Sequence, residues 1–200
     1  MAQRERTGQW LWFGVAFVAL LLACWLTPAY DTSGKDVVDV WEKLSYYLTR
    51  IVFSLFCAVS LLLLFVPAVR RAMRGIRDRS LWWAPVAVLA NVAVENAGKK
   101  LLHLPRPDGN SNGFPSGHAM ASFLVAWLVA TKYPRLAPLW YAIATAVAWS
   151  RVEVHAHYPY QVLGAALIGT LIGWSITTLV QKNEAKTTSS EVLTEPIPHL

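Results

Sequence analysis

The chain has 200 residues, 55% of them hydrophobic and 15% charged, with a formal net charge of +6. An ordinary soluble domain is about 25% charged, so this composition excludes that class and points to a lipid bilayer as the solvent. The basic residues, followed along the chain, mark membrane topology and leave no soluble basic face for a nucleic acid.

The first predicted element is an uncharged run over 7–30, preceded by Arg4 and Arg6. A spanning helix needs about 20 mostly apolar residues, and this run is longer than a signal-peptide core and carries Trp25 toward its end. It therefore reads as an uncleaved first span over 9–29. Next, Val37, Val40, Trp41, Leu44 and Leu48 recur at helical spacing opposite Asp36, Asp39, Glu42 and Lys43. That pattern predicts a short amphipathic helix lying on the outer membrane surface. A second uncharged run gives a span over 51–69, followed by Arg70, Arg71, Arg74, Arg77 and Arg79.

The third, fourth and fifth spans, over 81–103, 117–132 and 136–152, are short of apolar residues and polar at one end. Polar ends of this kind are where membrane proteins tend to place function. The sixth span, over 158–180, is uncharged and contains Gly169 and Gly173, a G-x-x-x-G pair that predicts close helix packing. Residues 182–200, rich in Thr, Ser, Glu and Pro, read as a flexible cytoplasmic tail. The ten Trp residues cluster near span ends, as interfacial anchors do. The expected fold is all-α: one membrane domain over 1–181, a six-transmembrane-helix bundle with a short amphipathic helix in its first outer loop.

Six spans place both termini on one side. That side carries Arg4, Arg6, the arginine cluster of 70–79, Lys132, Arg135, Lys182 and Lys186, which are 11 of the 18 basic residues. The positive-inside rule puts it in the cytoplasm and the opposite loops outside a plasma (inner) membrane. Cys24 and Cys57 fall inside spans, with no spacing that suggests a disulfide or a metal site.

Two outer loops carry the chemistry. One holds Lys99, Arg106 and Pro107, then Pro115, Ser116, Gly117 and His118 as the fourth span begins. Arg presents a planar fork of donors to phosphate oxygens and Lys a point charge. Backbone N–H groups around Ser116 and Gly117 would point into the site at a helix N-terminus. The other loop returns Arg151 and His157 to the same side. Two histidines can divide phosphoryl transfer, one attacking phosphorus and the other protonating the departing oxygen and then activating water. Lys99, Arg106 and Arg151 would stabilise charge on the phosphoryl oxygens. The scheme calls for no cofactor and no metal.

Lys99-x6-Arg106-Pro107, Pro115-Ser116-Gly117-His118 and Ser150-Arg151-x5-His157 resemble the three signature motifs of the type 2 phosphatidic acid phosphatase family, relatives of the vanadium haloperoxidases. The resemblance implies His157 as nucleophile and His118 as general acid and base. It makes Lys99, Arg106, Ser116, Gly117 and Arg151 the cradle of the substrate phosphate. It implies a membrane lipid phosphatase working through a phosphohistidine at the outer face, on a phosphorylated lipid drawn from the bilayer. Undecaprenyl diphosphate is the favoured substrate. Phosphatidylglycerophosphate, phosphatidate and lipid A phosphate are alternatives, as are a lipid phosphotransferase and a non-catalytic lipid-phosphate binder.

One position departs from the family pattern. Four residues beyond the nucleophilic histidine the motif usually carries Asp, and here stands Gln161. An amide can accept the ring N–H but cannot stabilise an imidazolium as a carboxylate does. On these grounds Gln161→Asp should keep or raise turnover. Glu153, four residues before His157, is a second candidate for orienting it, and Glu95, one turn before Lys99, a candidate for orienting the lysine. His103 and His155 lie close to the motifs in sequence and read as packing or surface residues.

Overall fold

The computed structural model describes residues 2–27, 40–75 and 80–194, and these are helical apart from short connections. The α-helices are α1 (Ala2–Leu26), α2 (Val40–Tyr47), α3 (Phe53–Met73), α4 (Ser80–Leu102), α5 (Gly117–Lys132), α6 (Ala137–Glu153) and α7 (Pro159–Thr194). A π-helical turn, Leu48–Val52, joins α2 to α3, and a 3-10 turn, Pro134–Leu136, precedes α6.

Gly8–Leu26, Lys43–Met73 and Pro159–Asn183 are long and apolar enough to cross a bilayer. The chain is thus an integral membrane protein, with three such segments among the described residues. The other three long helices differ for visible reasons. α4 carries Asn91, Glu95, Asn96, Lys99 and Lys100. α5 and α6 have 16 and 17 residues, roughly 24 to 26 Å at 1.5 Å per residue against a hydrocarbon core of about 30 Å.

α5 is the axle of the bundle. It packs on α1, α3, α4, α6 and α7, and every residue over 122–130 is buried. A helix apolar all round is one that its neighbours enclose. The outer helices show the opposite pattern, with Leu11, Val15, Val18, Leu55, Leu62 and Leu89 exposed, surfaces suited to lipid rather than water.

Small residues and satisfied polar groups set how closely the helices approach. A Cβ at Gly169 would run into the Met120 carbonyl, and one at Gly173 would stand 2.9 Å from the Trp127 ring. The glycine pair is therefore a site of close helix packing, as the sequence predicts, and the structure shows the partner to be α5. Trp127 donates its ring N–H to Thr177 (3.1 Å) and Trp140 to Ser60 (2.8 Å). These two indoles are core residues, not the interfacial anchors expected, because helix hydroxyls satisfy their N–H groups. Pro67 in α3 has no N–H for the Leu63 carbonyl. The Tyr133 hydroxyl donates to that carbonyl instead, at 2.9 Å, and ties α3 to the end of α5.

Two expectations change in form. α2 is not a separate surface helix, because neither Gly nor Pro interrupts 40–66. It runs through the π turn into α3 and packs on α6, with Ser45 and Thr49 buried. Val37, Asp36 and Asp39 lie outside the described residues. At the other terminus α7 continues to Thr194, since no helix breaker follows residue 182 until Pro196. The segment expected as a tail is thus helical that far, and 195–200 lie outside the described residues.

Candidate active site

The motif residues hang from three helix ends and the loops between them. α4 carries Lys99 one turn from its end, where Nζ donates to Glu95 Oε1. The Glu95 carboxylate lies against Gly117, where any Cβ would collide with it. Glu95 is therefore the partner of Lys99, and the nearby Asn96 amide donates instead to the Val92 carbonyl at 2.9 Å.

The chain leaves α4 through His103 in the left-handed region (φ 45°) and folds into a tight loop. The Arg106 N–H donates to the Asn110 carbonyl (2.8 Å), the Gly109 N–H to the Arg106 carbonyl (3.1 Å) and the Gly113 N–H to the Leu104 carbonyl (2.7 Å). The Arg106 guanidinium donates to the Asn112 carbonyl at 3.3 Å, while its buried Nε has no partner. Pro115, after a cis peptide bond, covers Gly98, where a Cβ would stand 2.6 Å from its Cδ. Ser116 then opens α5 at the N-cap position, but its buried Oγ makes no cap bond and has no partner.

At the end of α6 the Arg151 carbonyl accepts from the N–H groups of Ala156 and His157, both at 3.1 Å. With His155 also left-handed (φ 53°), this turn aims His157 back at the 103–116 loop. His103 and His155 thus serve as reversal residues at helix ends, a role histidine fills more readily than most side chains.

His157 Nδ1 lies 2.8 Å from the Gly113 carbonyl and 3.2 Å from Gln161 Oε1. The amide orientation of Gln161 follows from its other contacts. Oε1 accepts from the Tyr158 N–H (3.2 Å), and Nε2 donates to the Pro105 carbonyl (2.8 Å) and the Tyr160 hydroxyl (3.1 Å). Both partners of Nδ1 are acceptors, so Nδ1 carries the proton and Nε2 the lone pair. Gln161 is fully buried and His157 nearly so. Burial, and after it the Arg106 charge, lowers the His157 pKa from 6.5 to about 4 against the opposing Gln161 bond. The imidazole is neutral near pH 7.

His118, at the start of α5, lies against Phe53 with ring centroids 4.6 Å apart. The charges of Arg151, Glu95, Lys99 and Arg106 reach it, and those of Arg106 and Arg151 also reach His157. Two imidazoles, three cations and Ser116 with Gly117 therefore share one end of the bundle. Arg151 Nε is buried without a partner, like Arg106 Nε. A cavity of about 670 Å³ opens beside Arg151 and His118, lined also by Thr49, Arg50, Phe53 and Ser54 among others.

Gln161 and the Gly113 carbonyl hold Nδ1, and Glu153 takes no part in that contact. Sequence reasoning missed the carbonyls of Gly113 and Pro105, which carry no residue identity to read. It also did not link Arg50 to the motifs. The amphipathic run leading into the second span was the signal available.

Residues 80–185 match the family model of the PAP2 superfamily. The chain is 31% identical over 110 residues to a lipid A 1-phosphatase of Porphyromonas gingivalis, covering 50% of this chain and 25% of that protein. It is 25% identical over 167 residues to glucose-6-phosphatase 3 of Bos taurus, covering 76% and 47%. It is 37% identical over 60 residues to the bacitracin transport permease protein BcrC of Bacillus licheniformis, covering 30% of each. The chain thus spans less than half the length of these curated relatives. A transmembrane PAP2-type phosphatidylglycerolphosphate phosphatase from Bacillus subtilis superposes with a TM-score of 0.49 and 19% identity, over 85% of this chain and 96% of that one.

Proposed function

Since this chain belongs to the PAP2 superfamily, we propose that it is a membrane lipid phosphatase in which His157 is the nucleophile and His118 the general acid and base. The observation that carries the reading is the double acceptor contact on His157 Nδ1, which leaves the lone pair on Nε2. In the first step that lone pair bonds to phosphorus, the bond from phosphorus to the leaving oxygen breaks, and His118 gives that oxygen a proton. In the second, His118 takes a proton from water, which attacks phosphorus, breaks the N–P bond and releases phosphate. Lys99, Arg106 and Arg151, with the backbone N–H groups at Ser116 and Gly117, hold the phosphoryl oxygens. The unpartnered Nε atoms of Arg106 and Arg151 and the Ser116 hydroxyl supply donors for that purpose.

The proposed setting is a single membrane domain of six spans, comprising α1, α3, α4, α5, α6 and α7. The termini are cytoplasmic and the site faces the outer side, in keeping with the distribution of basic residues. The preferred substrate is undecaprenyl diphosphate. The test is phosphate release by purified protein in detergent from this lipid, phosphatidylglycerophosphate, phosphatidate and lipid A phosphate. His157→Ala and His118→Ala should each abolish release, and alkaline quenching should trap label on His157 of the native protein alone. Release by His157→Ala at the native rate would end the reading. Transfer of label to an added lipid acceptor, with little free phosphate, would make the protein a phosphotransferase.

A further inference from the structure

Arg50 belongs to none of the three motifs, yet the fold brings it to them. It stands in the π-helical turn Leu48–Val52, a rare geometry that interrupts regular helices frequently at functional sites. The preceding residue, Thr49, is buried and shares a 2.9 Å hydrogen bond with Ser150 of α6. One hydroxyl of the pair donates to the other, which in turn donates to a carbonyl of its own helix, Ser45 (2.9 Å) for Thr49 or Val147 (2.7 Å) for Ser150, and this holds the two residues together. Arg50 and Arg151 are the next residues after this bonded pair. Both line the 670 Å³ cavity, together with His118.

The position of His118 gives that cavity a direction. A general acid stands beside the leaving oxygen, so the group that departs with that oxygen lies on the His118 side of the transferred phosphorus. On that side the structure offers a second guanidinium, Arg50, the Ser54 hydroxyl and the apolar Phe53 and Val154. A lipid monophosphate brings no charge to this place, since its leaving group is an alcohol. A lipid diphosphate brings its inner phosphate, followed by an alkyl chain. A planar guanidinium is suited to such a phosphate through paired charge-assisted hydrogen bonds.

We infer that the cavity is a second anion subsite, in which Arg50 binds the phosphate that stays on the lipid while the terminal phosphate of a lipid diphosphate passes to His157. The inference rests on the phosphatase reading above. In the balanced step, Nε2 of His157 bonds to the terminal phosphorus, the bridging P–O bond breaks, and its electron pair stays on the bridging oxygen. His118 protonates that oxygen, and Arg50 holds the lipid monophosphate so formed.

The test compares farnesyl diphosphate with farnesyl monophosphate, which share one tail, on the purified full chain in detergent. Arg50→Gln should lower kcat/KM for the diphosphate by about tenfold or more and leave the monophosphate unchanged, with Arg50→Lys recovering part of the loss. Equal losses on the two substrates, or none on the diphosphate, would overturn the subsite. A second measurement needs no variant. The native protein should bind methylenebisphosphonate more tightly than methylphosphonate, and equal affinity for the two probes would also overturn it. Failure of the parent reading shows separately, as phosphate release that survives His157→Ala.

Discussion

Gln161→Asp restores the residue usual in the family, and the geometry reverses the gain expected from sequence. Gln161 Oε1 reaches His157 Nδ1 at 3.2 Å while Nε2 reaches the Pro105 carbonyl at 2.8 Å. Aspartate is one bond shorter, about 1.5 Å, so from the same backbone position its carboxylate falls out of hydrogen-bond range of Nδ1. The Pro105 carbonyl loses its donor, at about 1–3 kcal/mol for an unsatisfied buried group. The missing methylene adds about 0.8 kcal/mol. Together these give a destabilisation of roughly 2–4 kcal/mol. The Gly113 carbonyl still fixes the tautomer, but the ring is held from one side, and a misplacement near 1 Å can cost on the order of 100-fold in rate. Turnover on a lipid phosphate should therefore fall tenfold or more, with a lower melting temperature. Gln161→Glu keeps the reach but sets an acceptor against the Pro105 carbonyl, and it should lie between Gln161→Asp and native. Turnover of Gln161→Asp at or above native, with an unchanged melting temperature, would refute the reasoning.

The nucleophile must be neutral to attack, and the His157 pKa is lowered to about 4, chiefly by burial and then by Arg106. Activity should therefore persist well below pH 6.5, with the acid limb of kcat/KM near the lowered value. Arg106→Gln removes the strongest charge opposing protonation and should move that limb toward 6.5, which a pH–rate profile of the weakened variant reads directly. Gly117→Ala places a methyl group on the Glu95 carboxylate; it should displace the Glu95–Lys99 pair and raise KM for the phosphate, whereas Gly109→Ala, with open space around its Cβ, should change stability alone through its positive φ. Gly169→Val drives a branched side chain into the Met120 backbone, so it should separate α7 from α5 and yield little folded protein by size-exclusion chromatography. Replacement of exposed Leu171 by Val should leave that yield unchanged.

The helices were legible because apolar runs and their charged borders are properties of side chains. The cations and histidines were legible because few residue types do their chemistry. The clasp on His157 was half hidden: Gln161 announced itself by departing from a pattern, but the carbonyls of Gly113 and Pro105 are main-chain atoms that any residue could supply. Length and hydropathy placed α5 and α6 within a residue or so of their observed bounds but did not show that α5 is enclosed by the bundle over 122–130. Continuity of α2 with α3 was obscured because the charged face around Lys43 looks like a surface helix. The buried Ser45 and Thr49, which hold it against α6, are unremarkable in sequence.

The enclosure of α5 has a consequence for how the protein answers its membrane. Bilayers of different thickness act on a protein through helices that touch acyl chains, by tilt and local thinning. The helix that opens with Ser116, Gly117 and His118 has protein on every side over 122–130. Mismatch should therefore fall on α1, α3 and α7, and phosphate release should vary little between thin and thick reconstituted membranes.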